Sequence, residues 1–223
     1  MTDTGTTANP TPPPTPNLRE LNKRRTREAI SHTATRLFIE QGFDRTTIAE
    51  VAAAAGVAKM TVTNHFPRKE DLFFDLYEEL VDRLAGTVAG RAPGESALAA
   101  LRRDCLAGID RHDAGLGFAG PAFARTVFDS PALAARLREL HEQGETALAE
   151  ALAEAVHEIP VGFECRVAAA LLAAVDRAVF AEVFRRTLAG EEHAAIAAAV
   201  RPSAVQAYDR LEGALGSFAV RTS

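Results

Sequence analysis

The chain has 223 residues, 47% of them hydrophobic, with no Trp and a formal net charge of −5. That is enough apolar material for one large or two small domains with a sizeable core, and no apolar run approaches about 18 residues free of charge, so no transmembrane helix is expected. The N-terminus lacks a charged stretch followed by an apolar one, which argues against secretion and for a cytoplasmic protein without membrane partners.

Residues 1–16 (MTDTGTTANPTPPPTP) are rich in Thr and Pro, lack apolar periodicity and read as a disordered tail. The charge changes sign just after it. Residues 17–70 hold ten Lys or Arg against six Asp or Glu, whereas residues 71–223 hold 15 against 23. A basic head on an acidic body suits a protein that offers one face to phosphates. Lys23, Arg24, Arg25 and Arg27 open the first predicted helix, where they either stay solvated or reach a phosphate backbone. Ala29, Ile30, Ala34, Leu37 and Phe38 form its inward stripe, and Gly42 ends it.

From Thr46 to Leu72 the sequence is TTIAEVAAAAGVAKMTVTNHFPRKEDL. A helix is expected after Thr46, whose hydroxyl caps a free backbone N–H; Ile48, Val51, Ala52 and Ala55 then recur at helical spacing until Gly56. Val57 re-enters the core, and Lys59 to Phe66 make about two further turns. Two helices joined by a short glycine-containing turn form the helix-turn-helix plan, whose second helix enters the major groove. Val62 and Phe66 face inward there, leaving Lys59, Thr61, Thr63, Asn64 and His65 outside. These groups can bond phosphates and base edges, although a solvated helix face carries the same residue types.

This stretch closely resembles the N-terminal domain of the TetR family of bacterial transcriptional regulators. The resemblance rests on Gly42-Phe43, Thr46-Thr47, Ile48 to Ala52, Gly56-Val57, Phe66-Pro67 and Lys69 to Phe73, and covers roughly residues 20 to 75. It implies an all-α protein with a three-helix DNA-binding head over 17–66 and a ligand-binding and dimerisation body over 67–223. It also implies a homodimer on a palindromic DNA operator, usually a repressor, released by a small molecule. The DNA-contact positions it implies are Thr46, Thr47, Lys59, Met60, Thr61, Thr63, Asn64, His65 and Lys69. Four positions depart from the family pattern. Ala58 replaces a capping hydroxyl, Thr63 and His65 stand where aromatics are frequent, and Ala49 stands where a basic residue is frequent.

Pro67 and Lys69 mark the next helix start, near 68–87, with Leu72, Phe73, Leu76, Tyr77, Leu80, Val81 and Leu84 along one stripe. In the family this helix links head to body. Lys69, near its N-terminus, is expected to meet a phosphate. Further helices follow from Ala97 to Ile109 and, short and aromatic, from Phe118 to Phe128. Ser130-Pro131 is a cap-plus-first-turn signature that opens a long helix. Pro160 and Gly162 separate that helix from one at 163–189; a short piece near 192–200 and a last helix from Pro202 to about 218 complete the chain.

Phe163, Val167, Leu171, Ala174, Ala178 and Ala181 form a stripe of small and apolar residues. With the last helix it is similar to the family's four-helix dimer interface, while an intramolecular core explains it equally. Candidate ligand-lining residues are Phe74, Tyr77, Leu101, Cys105, Ile109, Phe118, Phe123, Val127, Phe128, Leu137 and His141. The set is mainly apolar, which suits an aliphatic or aromatic ligand better than a sugar or nucleotide. KMTVTNHFPRKEDLFFD and TVFDSPALAARLREL are similar to a subgroup associated with acyl-CoA-like ligands.

Enzyme signatures are missing. The sequence has no G-x-S-x-G elbow, P-loop or G-x-G-x-x-G fingerprint. His141-Glu142-Gln143-Gly144-Glu145 begins like a zinc-protease motif, but Glu145 stands where the second His is required, so no metal or other cofactor is expected. Cys105 and Cys165 form no C-x-x-C pair and read as reduced, buried side chains. The remaining alternative is a helical protein-interaction module that retains a weak, nonspecific DNA-binding head.

Overall fold

The computed structural model describes residues 18–75 and 77–221, leaving aside the side chains of Tyr77 and Glu78. The tail at 1–16 lies outside the described residues. All regular structure among the described residues is helical: α1 (Leu18–Gln41), α2 (Ile48–Ala54), α3 (Lys59–His65), α4 (Tyr77–Ala89), α5 (Ala97–Asp110), α6 (Pro121–Asp129), α7 (Pro131–Ala155), α8 (Phe163–Leu188) and α9 (His193–Leu215), with single 3-10 turns at Glu70–Leu72 and Ala114–Leu116.

The head is built by local signals. Gly42 takes φ +89° and returns its N–H to Phe38 O at 2.9 Å, which ends α1 as a left-handed cap. α2 starts one residue later than its sequence implies. Thr47, not Thr46, is the cap, and it forms a reciprocal box with Glu50: Thr47 N–H donates to Glu50 Oε2 at 2.7 Å, and Glu50 N–H to Thr47 Oγ1 at 3.2 Å. Gly56, at φ +66°, turns the chain into α3. The α3 cap, Ala58, supplies no side-chain bond.

One apolar cluster joins Ile30, Phe38, Phe43, Val51, Val62, Phe66, Leu72, Phe73 and Phe74 of the head region to Val127, Leu133 and Leu140 of α6 and α7. A second cluster fills the body, from Leu84 and Leu98 through Leu148 and Leu172 to Tyr208. α4 lies along α7 and reaches both. Leu80 and Val81 pack on the first cluster, while Leu84 and Val88 belong to the second. Gly144 makes that pairing close, because a Cβ there would stand 3.4 Å from Val81 O.

Two expectations fail. The helix expected over 68–87 is interrupted: a 3-10 turn at Glu70–Leu72 is followed by non-helical backbone at 73–75, and α4 spans Tyr77–Ala89. Leu72, Phe73 and Phe74 are all buried, and three consecutive residues would span about 200° of a helix surface, too wide for one buried face. The carbonyls freed by the break are used: Leu72 O accepts from Ser31 Oγ at 3.2 Å, and Asp75 O from Arg27 Nη2 at 3.2 Å.

Conversely, the separate helices expected at 192–200 and 202–218 are one helix, α9, running through Pro202. Ile196, Val200, Ala204 and Tyr208 recur every fourth residue and are all buried. A mid-helix Pro costs about 3 kcal/mol, and burying Ile196 and Val200 alone contributes about 1.5–3 kcal/mol each. Burial prevails, and Pro202 stays on the exposed side with Ala198, whose carbonyl loses its partner.

Candidate nucleic-acid interface

α3 is held from behind. Val62 and Phe66 are buried in the head cluster. Arg27 of α1 spans its end, donating from Nη1 to His65 O at 2.8 Å while its guanidinium lies 4.4 Å from the Phe66 ring centroid. Arg27 therefore serves to position α3, which its place in the basic run did not reveal. Lys23, Arg24 and Arg25 are exposed, and Arg24 makes a loose pair with Glu28 at 3.6 Å.

The outward face of α3 presents Lys59, Met60 and Asn64, all exposed, with Met60 at 69%. Thr61 and Thr63 are half-buried, and the Thr63 hydroxyl donates to Met60 O at 3.1 Å along the helix. His65 is half-buried. Burial first, then the charges of Lys23 and Arg27, push its imidazole below the ordinary value. Thr47 is exposed at the start of α2, with its hydroxyl engaged in the capping box.

Two sequence-derived DNA contacts turn inward. Thr46 is 1% exposed, and its hydroxyl donates to Gly42 O at 3.0 Å. The Lys69 ammonium donates to Phe43 O at 2.5 Å and sits 4.2 Å from the Phe43 ring centroid. Burial lowers its pKa, against the opposing carboxylates of Asp44, Glu70 and Glu50. Lys69 closes the α1–α2 corner onto the turn that follows α3, instead of projecting to a phosphate.

A charged link between head and body escaped the sequence reading. Arg68, just after α3, donates from Nη1 to Glu139 Oε2 at 2.6 Å, and Glu139 also accepts from Arg136 Nη1 at 3.0 Å. Arg136 continues to Asp71, with Nη2 to Oδ1 at 2.9 Å and both side chains buried. Ser130 Oγ adds a bond to Asp44 Oδ1 at 3.2 Å. The signal was available: Arg136 lies three residues after Leu133 and four before Leu140, on the apolar stripe of α7, where an arginine requires a partner.

The candidate ligand-lining residues do not share one cavity. Leu101, Cys105, Ile109 and Phe118 belong to the body cluster. Phe74 and Val127 belong to the head cluster, with Phe123 and Leu137 packed against it. Phe128 is 62% exposed, at the last turn of α6 and outside the inward stripe of Phe123, Ala124 and Val127. The Tyr77 side chain lies outside the described residues. His141 sits between the clusters, edge-on to Phe180 with ring centroids 5.0 Å apart. Cys105 and Cys165 are free and buried, and burial pushes the Cys105 thiol up to about 12.

A three-helix head with an exposed polar second helix, carried on a larger helical body, defines a helix-turn-helix DNA-binding regulator. Residues 30–76 match the family described as bacterial regulatory proteins, tetR family. The chain is 30% identical over 191 residues to the HTH-type transcriptional regulator TcmR of Streptomyces glaucescens, covering 82% of this chain and 84% of that one. It is 35% identical over 94 residues to the HTH-type transcriptional repressor AcnR of Corynebacterium diphtheriae, 42% of this chain and 46% of that one. Among solved structures it is similar to NalD of Pseudomonas aeruginosa, secondary repressor of the MexAB-OprM multidrug efflux pump, with TM-score 0.52 and 18% identity over 84% of this chain and 97% of that one. SmeT in its triclosan complex gives a TM-score of 0.54 at 19% identity, over 85% of this chain and 91% of that one. The chain belongs to the TetR family of DNA-binding transcriptional regulators. No described helix is long and apolar enough to cross a membrane, and no described cluster of His, Cys, Asp or Glu is arranged to hold a metal ion.

Proposed function

We propose that this protein is a ligand-responsive repressor, not an enzyme, that binds a palindromic operator as a homodimer and leaves it when a small, largely apolar molecule occupies the body. The observation that carries the DNA-binding half is α3: a short helix clamped by Val62, Phe66 and Arg27, with Lys59, Met60 and Asn64 presented outward. Lys59 supplies a phosphate contact, and Asn64 has the donor and acceptor geometry that reads adenine. Thr47, Thr61, Thr63 and His65 flank them. In this reading residues 17–66 recognise DNA, and residues 67–223 bind the effector and dimerise.

The dimer half rests on α8. Phe163 is 72% exposed, and Val167, Leu171, Ala174, Ala178 and Ala181 follow it on the same uncovered face. Such a stripe fits a second copy of α8, together with the exposed side of α9. Two α3 helices about 34–36 Å apart, or a multiple of that, then read two half-sites.

The test is fluorescence anisotropy of the purified full chain with DNA flanking its own gene, over a salt series. Specific binding should exceed nonspecific binding by about a thousandfold or more. Weak binding to every fragment of the genome, lost as salt rises, would leave a helical interaction module as the better description.

A further inference from the structure

A cleft of about 520 Å³ opens where the head meets α6. None of its described lining residues belongs to α3 or to the body cluster. α1 lines it with Thr35, Arg36, Ile39 and Glu40, and α6 with Phe123; the segment between the 3-10 turn and α4 adds Phe73 and Asp75. The volume falls within the range of about 300–1,000 Å³ that holds small organic molecules.

Two chemistries meet in this lining. Phe73 is buried, and Phe123 stacks on it with ring centroids 4.3 Å apart and planes 20° apart. Phe123 is only half-buried, so the aromatic pair keeps an uncovered surface. The break before α4 is what lets Asp75 share the cleft with Phe73. On a continuous helix, side chains two residues apart would point about 200° from one another.

The charges are unequal. Arg36 donates to Glu40 Oε2 at 2.9 Å, and Arg27 donates to the main-chain oxygen of Asp75 at 3.2 Å. The Asp75 carboxylate takes part in none of the ion pairs or hydrogen bonds among the described residues. With the exposed His32 neutral, the lining carries two carboxylates against one guanidinium. A carboxylate beside uncovered aromatic rings complements a cation, since the one balances its charge and the other attracts it. An anion would have to displace Glu40 from Arg36 and lie beside Asp75.

We propose that this cleft binds a small organic monocation, an ammonium or amidinium carried on a flat aromatic body. The site is separate from any effector chamber within the body and does not rest on the reading of the body as ligand-responsive. Because α1 belongs to the head and α6 to the body, an occupant that touches both fixes their spacing. It shifts DNA affinity by the difference between its affinities for the free and the operator-bound protein.

With no Trp in the chain, naphthalene derivatives can be followed by their own fluorescence. 1-Naphthylmethylammonium, 1-naphthylmethanol and 1-naphthylacetate share one aromatic body and differ in charge. Titration of the full chain, without DNA, should show the ammonium binding about tenfold or more tighter than the alcohol, and the acetate weakest. Asp75→Asn, nearly isosteric, should erase the advantage of the ammonium over the alcohol. Thr35→Trp, which fills the cleft from α1, should abolish binding of the ammonium while circular dichroism stays unchanged. Absence of ammonium binding, equal or tighter binding of the acetate, an ammonium advantage that survives Asp75→Asn, or binding untouched by Thr35→Trp would each overturn the proposal. Because no operator is present, such a failure is distinct from a failure of DNA recognition.

Discussion

Asn64 and Lys59 share the outward face of α3, and the contacts proposed for them differ in their physics. Asn64→Ala removes a bidentate group and should cost about 1–3 kcal/mol on the specific operator, with little change on random DNA. Lys59→Ala should weaken both, and lower the slope of log affinity against log salt by about one. Anisotropy on matched specific and scrambled duplexes separates the two. Which of the candidate side chains turn outward was only partly legible in the sequence. Thr46 and Thr47 are chemically identical as caps, and the choice depends on where the backbone leaves the helical region. Lys69 sits in a basic stretch, but Phe43 O and its ring, 26 residues earlier, capture it. A neighbour across the fold decided Lys69, whereas Thr47 carried a local signal in Glu50, three residues on, which completes its capping box.

At the scale of single elements, the sequence periodicity was right about existence and wrong about continuity. The stripe from Leu72 to Leu84 satisfies helical spacing, yet the backbone breaks because Leu72, Phe73 and Phe74 are all buried, and Ser31 and Arg27 take up the carbonyls this frees. Pro202 reads as a stop, yet α9 passes it. Pro202→Ala should therefore stabilise the protein, by up to about 3 kcal/mol, seen as a raised denaturant midpoint with unchanged m. The link between α7 and the head makes the opposite prediction. Asp71→Asn leaves the buried Arg136 without its buried carboxylate and should cost about 3 kcal/mol or more. Arg68→Ala, on the exposed arm of the same network, should change global stability little. Equal losses for both in chemical denaturation would contradict this division.

On the scale of the molecule, sequence alone separated a basic head from an acidic body and assigned an all-helical fold. It did not decide whether α8 packs its small residues within the chain or beyond it. α8 carries two apolar faces: Cys165, Ala169, Leu172 and Val179 are buried, while Phe163, Val167 and Leu171 are exposed. Periodicity counts both faces alike. Ala178→Glu adds a charge at an exposed site of the single chain, so the fold should persist by circular dichroism. Sedimentation should nevertheless find monomers, and affinity for a palindromic operator should fall on the order of a hundredfold as two-site binding is lost. A dimer that survives this change would place the interface elsewhere.

All three lysines of the chain, Lys23, Lys59 and Lys69, lie within residues 17–70; residues 71–223 carry arginines but no lysine. Lys23 and Lys59 are exposed, whereas Lys69 is folded against Phe43. Amine-directed side-chain chemistry is thus confined to the recognition end of the molecule. Coupling through lysines to a solid support would blind the protein, and operator DNA would shield Lys59 from a reagent. Lys69, half-buried and bonded to Phe43 O, would acquire its label more slowly than Lys23 and Lys59, and its rate would report how firmly the corner between α1 and α2 is closed.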